Sequence, residues 1–303
     1  MTWCLFRQNL TATFLLVFFV ILGDFAWASA IEERSSLDSN VVCWGSNEYQ
    51  QTSVPQDLVG VTQVSSKGSF SCALAQGRVR CWGLGIEDIF PVPKDLGEVL
   101  QITSGFAHNC ALTKKGVRCW GHEQDGKLKV PNNLGEVFQI AAGGEYTLAL
   151  TNKGIRCWGK CFRAPVFSGS IEFISAGGCF ACAVVSGQAH CWGCNGKGQV
   201  EVPSDLGLVR EISAGVYHVC ANTINGIRCW GDKAYTQVPG GDNLSMPRVG
   251  VYHSCALSDT GVLCWGDNDS NQLEVPPAAV DAASIAVGDS HTCAIVSARG
   301  RLP

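Results

Sequence analysis

The 303 residues carry 22 Lys and Arg against 26 Asp and Glu, a formal net charge of -4, which excludes the basic surface that a phosphate backbone requires. A hydrophobic fraction of 46% with 35 Gly and only 16% charged residues excludes a disordered chain and fits an all-β protein with many tight turns. The 17 Cys demand either metal and redox chemistry in a reducing compartment or a disulfide framework in an oxidising one.

The N-terminus decides between those two. Arg7 precedes the apolar run Phe14 to Leu22, and Ala28-Ser29-Ala30 has the small-x-small form that a signal peptidase accepts. A transmembrane anchor is the competing reading, but the run is well short of the roughly 20 residues needed to span a bilayer. Residues 1–30 are therefore expected to be a signal peptide, with no membrane span once it is removed. Residues 31–40 read as a polar leader, and residues 41–303 as one domain without a linker. The product is expected to be secreted or periplasmic, and disulfides then become the expected state of its cysteines.

From Val41 onward the chain is a tandem repeat. The tripeptide Cys-Trp-Gly begins at Cys43, Cys81, Cys119, Cys157, Cys191, Cys229 and Cys264, with spacings of 38, 38, 38, 34, 38 and 35 residues. A second signature, fullest at Gly105 to Leu112 (GFAHNCAL), recurs around Cys72, Leu148, Cys182, Cys220, Cys255 and Cys293. Each repeat reads as an apolar stretch such as Val99 to Thr103, then the second signature, a polar turn with Gly, and Val-x-Cys-Trp. This is a hairpin preceded by one more strand, the size of a small propeller blade. A variable loop then leads to Val-Pro, where proline limits any strand to an edge.

Each terminus holds half a repeat. Val41 to Trp44 lacks a preceding hairpin strand, and Gly288 to Ile295 lacks a following Cys-Trp-Gly. Pairing the two would complete a seventh blade and close the ring, removing the open edges of a solenoid. The fold class expected is all-β, a seven-bladed β-propeller closed by its terminal strands.

The wording Ile212 to Ala221 through Gly226-Ile-Arg-Cys-Trp-Gly, with Gly198-Gln199-x-x-Val-Pro, resembles the repeat of the regulator of chromosome condensation superfamily, over nearly all of residues 41–295. The resemblance implies a seven-bladed propeller. Its nuclear branch is a guanine-nucleotide exchange factor with longer repeats, from which this chain departs in repeat length, cysteine content and export signal. In repeat length and in Gly-x-Tyr-His the chain is more similar to the secreted propeller-type β-lactamase inhibitory proteins. Crinkly-type receptor kinases also display such repeats outside the cell.

Hairpin register assigns most of the cysteines. With a two-residue turn at Lys114-Lys115, Cys110 and Cys119 face each other at a non-hydrogen-bonded position, close enough for a disulfide. The same spacing pairs Cys72 with Cys81, Cys182 with Cys191, Cys220 with Cys229 and Cys255 with Cys264, and ring closure pairs Cys43 with Cys293. Of the rest, Cys179 matches Cys194 in register, and Cys157, opposite Leu148, is left to Cys161. Cys179-x-x-Cys182 and Cys191-x-x-Cys194 also have zinc spacing, an alternative weakened because residues three apart on a strand point to opposite faces.

Weaker constellations are present. His108, His218, His253 and His291 share a repeat position that holds Phe70, Tyr146 and Phe180 elsewhere, so packing is favoured over a metal ring. Arg80, Arg118, Arg156 and Arg228 share a strand face with the adjacent Trp and are expected to lie across the blade. No nucleophile, base and orienting group recur together, and no cofactor motif is present. The expected function is that of a non-catalytic, monomeric protein-binding or scaffold propeller. Its rivals are an exchange-factor-like regulator of a small GTPase and a zinc-stabilised variant of the binding module. Recognition is assigned to the loops between Trp-Gly and Val-Pro, where the repeats agree least and where Tyr49, Phe90, Phe162 and Tyr235 place large aromatics in polar settings.

Overall fold

The computed structural model describes residues 39–85, 90–240 and 243–297, so the expected signal peptide and most of the leader lie outside the described residues. Seven antiparallel three-stranded sheets account for the strands. Blade one is β2 (Val61–Lys67), β3 (Phe70–Ala75) and β4 (Arg78–Gly83). Blade two is β5 (Val99–Ser104), β6 (His108–Thr113) and β7 (Gly116–Gly121), and blade three is β8 (Val137–Ala142), β9 (Tyr146–Thr151) and β10 (Gly154–Gly159). Blade four is β11 (Ile171–Ala176), β12 (Phe180–Val185) and β13 (Gln188–Gly193), and blade five is β14 (Val209–Ala214), β15 (His218–Thr223) and β16 (Gly226–Gly231). Blade six is β17 (Ser245–Val249), β18 (His253–Ser258) and β19 (Gly261–Gly266).

Blade seven is stitched from both ends of the chain: β20 (Ala282–Val287), β21 (His291–Ser297) and β1 (Ser39–Gly45), with Cys43 opposite Cys293. β1 takes in Ser39 and Asn40, two residues earlier than the expected start of the domain, because they continue the ladder opposite Ser297 and Val296. Around the ring, the first strand of each blade lies against the first strands of both neighbours, β2 meeting β5 on one side and β20 on the other. The propeller is thus closed, and β2, β5, β8, β11, β14, β17 and β20 line its axis.

Every residue of Cys-Trp-Gly has a separate physical task. The Trp indoles are 4–8% exposed and fill the apolar layers between neighbouring blades. Three of them also donate Nε1–H to a backbone carbonyl of the preceding connection, Trp44 to Gln272, Trp82 to Gln51 and Trp230 to Gln199. The closing Gly has positive φ in all seven blades, and a Cβ there would meet the carbonyl of the neighbouring turn at 2.5–2.7 Å, so no other residue fits without displacing that turn.

The 16 cysteines among the described residues join in eight pairs. Five are hairpin pairs of the nine-residue spacing, Cys72–Cys81, Cys110–Cys119, Cys182–Cys191, Cys220–Cys229 and Cys255–Cys264, with Cα atoms 4.0–4.1 Å apart. Such an approach belongs to non-hydrogen-bonded positions of an antiparallel pair. Cys43–Cys293 repeats the geometry across the ring closure at 4.1 Å. Cys179 joins Cys194, and Cys157, facing Leu148, joins Cys161 four residues on. Both Cys-x-x-Cys segments are consumed by disulfides, which leaves no thiolates for zinc.

Polar side chains tie blade to blade at the axis. Gln63 donates to Ile102 O at 2.9 Å and accepts from Ile102 N at 2.9 Å. Gln101 does the same to Ile140, and Gln139 to Ile174. An inner strand has one edge without a ladder partner, and these amides satisfy both its donor and its acceptor at one residue. Between blades five and six the glutamine is replaced by Glu211, which pairs with Arg248 Nη1 at 2.6 Å.

Candidate functional site

All seven variable connections start on one face. The residue after each Trp-Gly donates its N–H to the carbonyl of the turn between the first two strands of the same blade: Ser46 to Ser290, Leu84 to Ser69, His122 to Ala107, Lys160 to Glu145, Cys194 to Cys179, Asp232 to Tyr217 and Asp267 to Tyr252. This face therefore holds two concentric sets of loops, the inner turns around the axis and the variable connections outside them. The opposite face carries the tight hairpin turns.

On the first face, blades five and six bring three tyrosines together. Tyr217 stacks on Tyr252 with ring centroids 5.7 Å apart, and Tyr235 meets Tyr252 edge-on at 5.6 Å. Tyr235 also lies over the buried His218 at 5.6 Å. Tyr217 and Tyr252 occupy the same inner-turn position of adjacent blades, whereas Tyr235 comes from the variable connection between them. Tyr252 remains 38% exposed. Partial desolvation raises the phenol pKa of both Tyr235 and Tyr252, with Asp232 and Asp267 adding to it at Tyr235 and the neighbouring Tyr217 at Tyr252. A Lys197–Asp232 ion pair at 2.9 Å borders the cluster; it raises the Lys197 pKa and lowers that of Asp232.

The four aromatics expected to form a recognition surface are placed differently from one another. Tyr49 is 43% exposed and lines a groove of about 750 Å³ with Arg80 and Leu84. Phe162 is 42% exposed. Tyr235 is half-buried in the tyrosine cluster. Phe90 departs from the expectation: it is 7% exposed, its ring packed 5.8 Å from Phe70. The sequence pattern did not single out Tyr217 and Tyr252, since they sit inside a repeated signature and only the ring geometry makes them neighbours.

The histidine position is a latch between blades. His108 Nε2 hydrogen-bonds Thr147 Oγ1 at 2.9 Å, His218 bonds Ser254 at 2.7 Å, His253 bonds Thr292 at 2.9 Å and His291 bonds Ser71 at 2.8 Å. In blade three Tyr146 takes the position and donates its hydroxyl to Phe180 O. Burial lowers the imidazole pKa to about 3 in His108 and His253 and to about 4 in His218 and His291, so all four are neutral. Among the described residues their Nδ1 atoms have no hydrogen-bond partner, which favours the tautomer with the proton on Nε2. The rings of His108 and His291 lie against the Gly at the end of the first strand of their blades, Gly105 and Gly288, so that a Cβ on Gly105 would sit 2.3 Å from His108 Cε1. The arginines before Cys-Trp-Gly do not lie across the tryptophans as expected. Arg80, Arg118 and Arg228 reach out to Asp57, Asp95 and Asp205 at 3.3–3.5 Å, exposed pairs of small energetic weight.

The regulator of chromosome condensation (RCC1) repeat matches residues 99–127 and 249–272. No curated protein sequence matches the chain. Among solved structures, the ectodomain of the receptor kinase CR4 from Physcomitrella patens is 24% identical, with a TM-score of 0.67 over 80% of this chain and 71% of that one. The CRINKLY WD40 ectodomain of the Arabidopsis thaliana receptor kinase ACR4 is 25% identical, with a TM-score of 0.62 over 77% of this chain and 87% of that one. Yeast RCC1 (Prp20), solved bound to Kap60, is 16% identical, with a TM-score of 0.71 over 87% of this chain and 90% of that one. Repeat signature, strand topology and structural likeness agree: the chain carries regulator of chromosome condensation (RCC1) repeats at residues 99–127 and 249–272 and folds as a seven-bladed propeller closed between its two ends.

Proposed function

We propose that this propeller is an exported protein-binding module whose partner docks on the face that carries the variable connections, and that it acts by binding and not by catalysis. One observation carries the reading: Tyr217, Tyr235 and Tyr252, drawn from three separate segments, form a partly exposed aromatic cluster on that face. Tyrosines with an apolar body and a polar tip dominate binding energy at many interfaces. The framework behind them is rigid, with a disulfide in every blade but one spanning the two outer strands. Eight disulfides suit an oxidising compartment, which supports export and stands against contact with a cytosolic GTPase. Two of the structural relatives are extracellular domains of receptor kinases, and yeast RCC1 was solved with a protein bound, which adds support for a protein partner.

The test is a pull-down from the extracellular or periplasmic fraction with the oxidised protein as bait, followed by affinity measurement on the captured partner. Tyr235→Ala and Tyr252→Ala are each expected to weaken binding by at least about 1 kcal/mol with an unchanged melting temperature. A lowered melting temperature with intact binding would mean that the tyrosines are packing residues and that the contact surface lies elsewhere.

A further inference from the structure

Among the described residues two segments, Asn243-Leu244-Ser245 and Asn268-Asp269-Ser270, have the Asn-x-Ser pattern of an N-glycosylation acceptor. The structure gives the two asparagines different standing. Asn268 is fixed by the loop that holds it: its Oδ1 accepts the Leu273 N–H at 2.9 Å and its Nδ2 donates to Glu274 Oε1 at 3.1 Å. Asn195 makes the same two bonds in its own connection, with the Val200 N–H at 3.2 Å and Glu201 Oε1 at 2.9 Å, and Asn47 accepts the Thr52 N–H and donates to Ser53 Oγ. Neither Asn47 nor Asn195 has Ser or Thr two residues on, where Tyr49 and Lys197 stand. The loop thus asks for asparagine as a turn-former, whatever the third residue is.

Asn243 has no such role. It is exposed, two residues ahead of the start of β17, and its Nδ2 donates to Asp259 Oδ2 at 2.9 Å in the hairpin turn of blade six. In blade two the same contact, from the entry segment to the hairpin turn, is an ion pair of Glu98 with Lys114 at 2.7 Å, so the framework does not require asparagine there. An amide nitrogen carries two protons, and a sugar can replace one while the other still bonds Asp259.

The surroundings suit a bulky polar cover. Asn243 borders a groove of about 620 Å³ whose walls include Ile224, Ile227, Val238 and Pro239, and Ile224 is 55% exposed. A glycan over this groove would shield apolar surface from other molecules. Its contact with the hairpin turn places Asn243 on the face opposite the variable connections, so a glycan there leaves the tyrosine cluster open. Asn268 instead follows Asp267, whose charge is felt at Tyr235.

We propose that Asn243 is a site of N-linked glycosylation. A sugar carried on a polyprenyl pyrophosphate passes to Nδ2: the C1–N bond forms, the C1–O bond to the pyrophosphate breaks, the pyrophosphate keeps the bonding pair, and the amide gives up one proton. Nothing is oxidised or reduced. The inference rests on export of the chain, because the transferase acts inside the secretory pathway.

The test expresses the full chain in a eukaryotic secretory host, in parallel with a version in which the host's own signal sequence replaces residues 1–30. Secreted protein should lose mass on treatment with a peptide-N-glycosidase, and in heavy-oxygen water the treatment should leave a labelled aspartate at position 243. Asn243→Gln and Ser245→Ala are each expected to abolish that label, whereas Asn268→Gln should leave it intact. Should Asn243→Gln fail to fold and be retained, Ser245→Ala and the labelled wild-type peptide decide. A glycan on Asn243 only in the version with the host signal would uphold the site and count against export through residues 1–30. Secreted wild-type protein with Asn243 bare, or a mass loss undiminished in Asn243→Gln, would overturn the proposal and leave export standing.

Discussion

Acid should open this ring through its four latch histidines, and the size of the effect follows from their burial. Each imidazole is neutral in the folded state, with a pKa of about 3 or 4, against about 6.5 when unfolded. Below pH 6.5 the unfolded chain therefore binds more protons than the folded one, and stability falls as the pH is lowered. The loss continues until the folded pKa values are reached, near pH 4 for His218 and His291 and near pH 3 for His108 and His253. At full effect each histidine contributes about 1.4 kcal/mol per pH unit. Between pH 7.5 and 5 each accounts for roughly 2 kcal/mol, and the four together for about 8, comparable with the 5–15 kcal/mol that typically holds a domain together. Asp289 acts in the opposite sense, because burial raises its pKa, but it is a single group. Guanidinium unfolding of the oxidised protein at pH 7.5, 6.5, 5.5 and 4.5 measures the slope. His253→Gln should remove about a quarter of it, since an amide does not titrate. Stability that stays flat from pH 7.5 to 5, or a slope untouched by His253→Gln, would refute the reasoning.

Further outcomes follow from single contacts. Gly105→Ala places a methyl 2.3 Å from His108 Cε1 and 2.5 Å from Gly143 O and is expected to cost about 1–3 kcal/mol, whereas Gly196→Ala meets nothing within 4 Å and should be neutral; thermal melts compare the two. Gln139→Leu strips the Ile174 N–H and C=O of their partners, and loss of roughly 2 kcal/mol or more in chemical denaturation is expected. Deleting residues 39–45 leaves β21 with an open edge and Cys293 without Cys43, so size exclusion should show disulfide-linked dimers or aggregates in place of a monomer. A monomeric truncation with unchanged melting would argue that the terminal strand does not close the ring.

The amino-acid sequence by itself determined the features that depend on short chain separations. Spacing of nine residues between Cys110 and Cys119 sets a hairpin register, and the register alone brings the two sulfurs into reach. Half a repeat at each end dictates that Cys43 and Cys293 share a blade, because an unpaired strand at either terminus would expose its backbone groups. The roles of Trp and Gly in Cys-Trp-Gly are likewise local to one blade and its neighbour and recur in all seven blades, and the cross-strand disulfide of Cys recurs in six.

Tertiary structure decided everything that depends on how one blade faces another. Tyr217 and Tyr252 look like ordinary members of a repeated signature until the ring stacks them and brings Tyr235 edge-on to Tyr252. Phe90 reads as a loop aromatic, yet its ring is buried against Phe70. Lys67 looks like one cation among 22, and only closure of the propeller places its ammonium on the axis, buried and facing Ala176 O on a distant blade. The physical reason is common to all three. Local spacing fixes which backbone atoms pair, but burial and stacking are set by contacts between segments that no hairpin register joins.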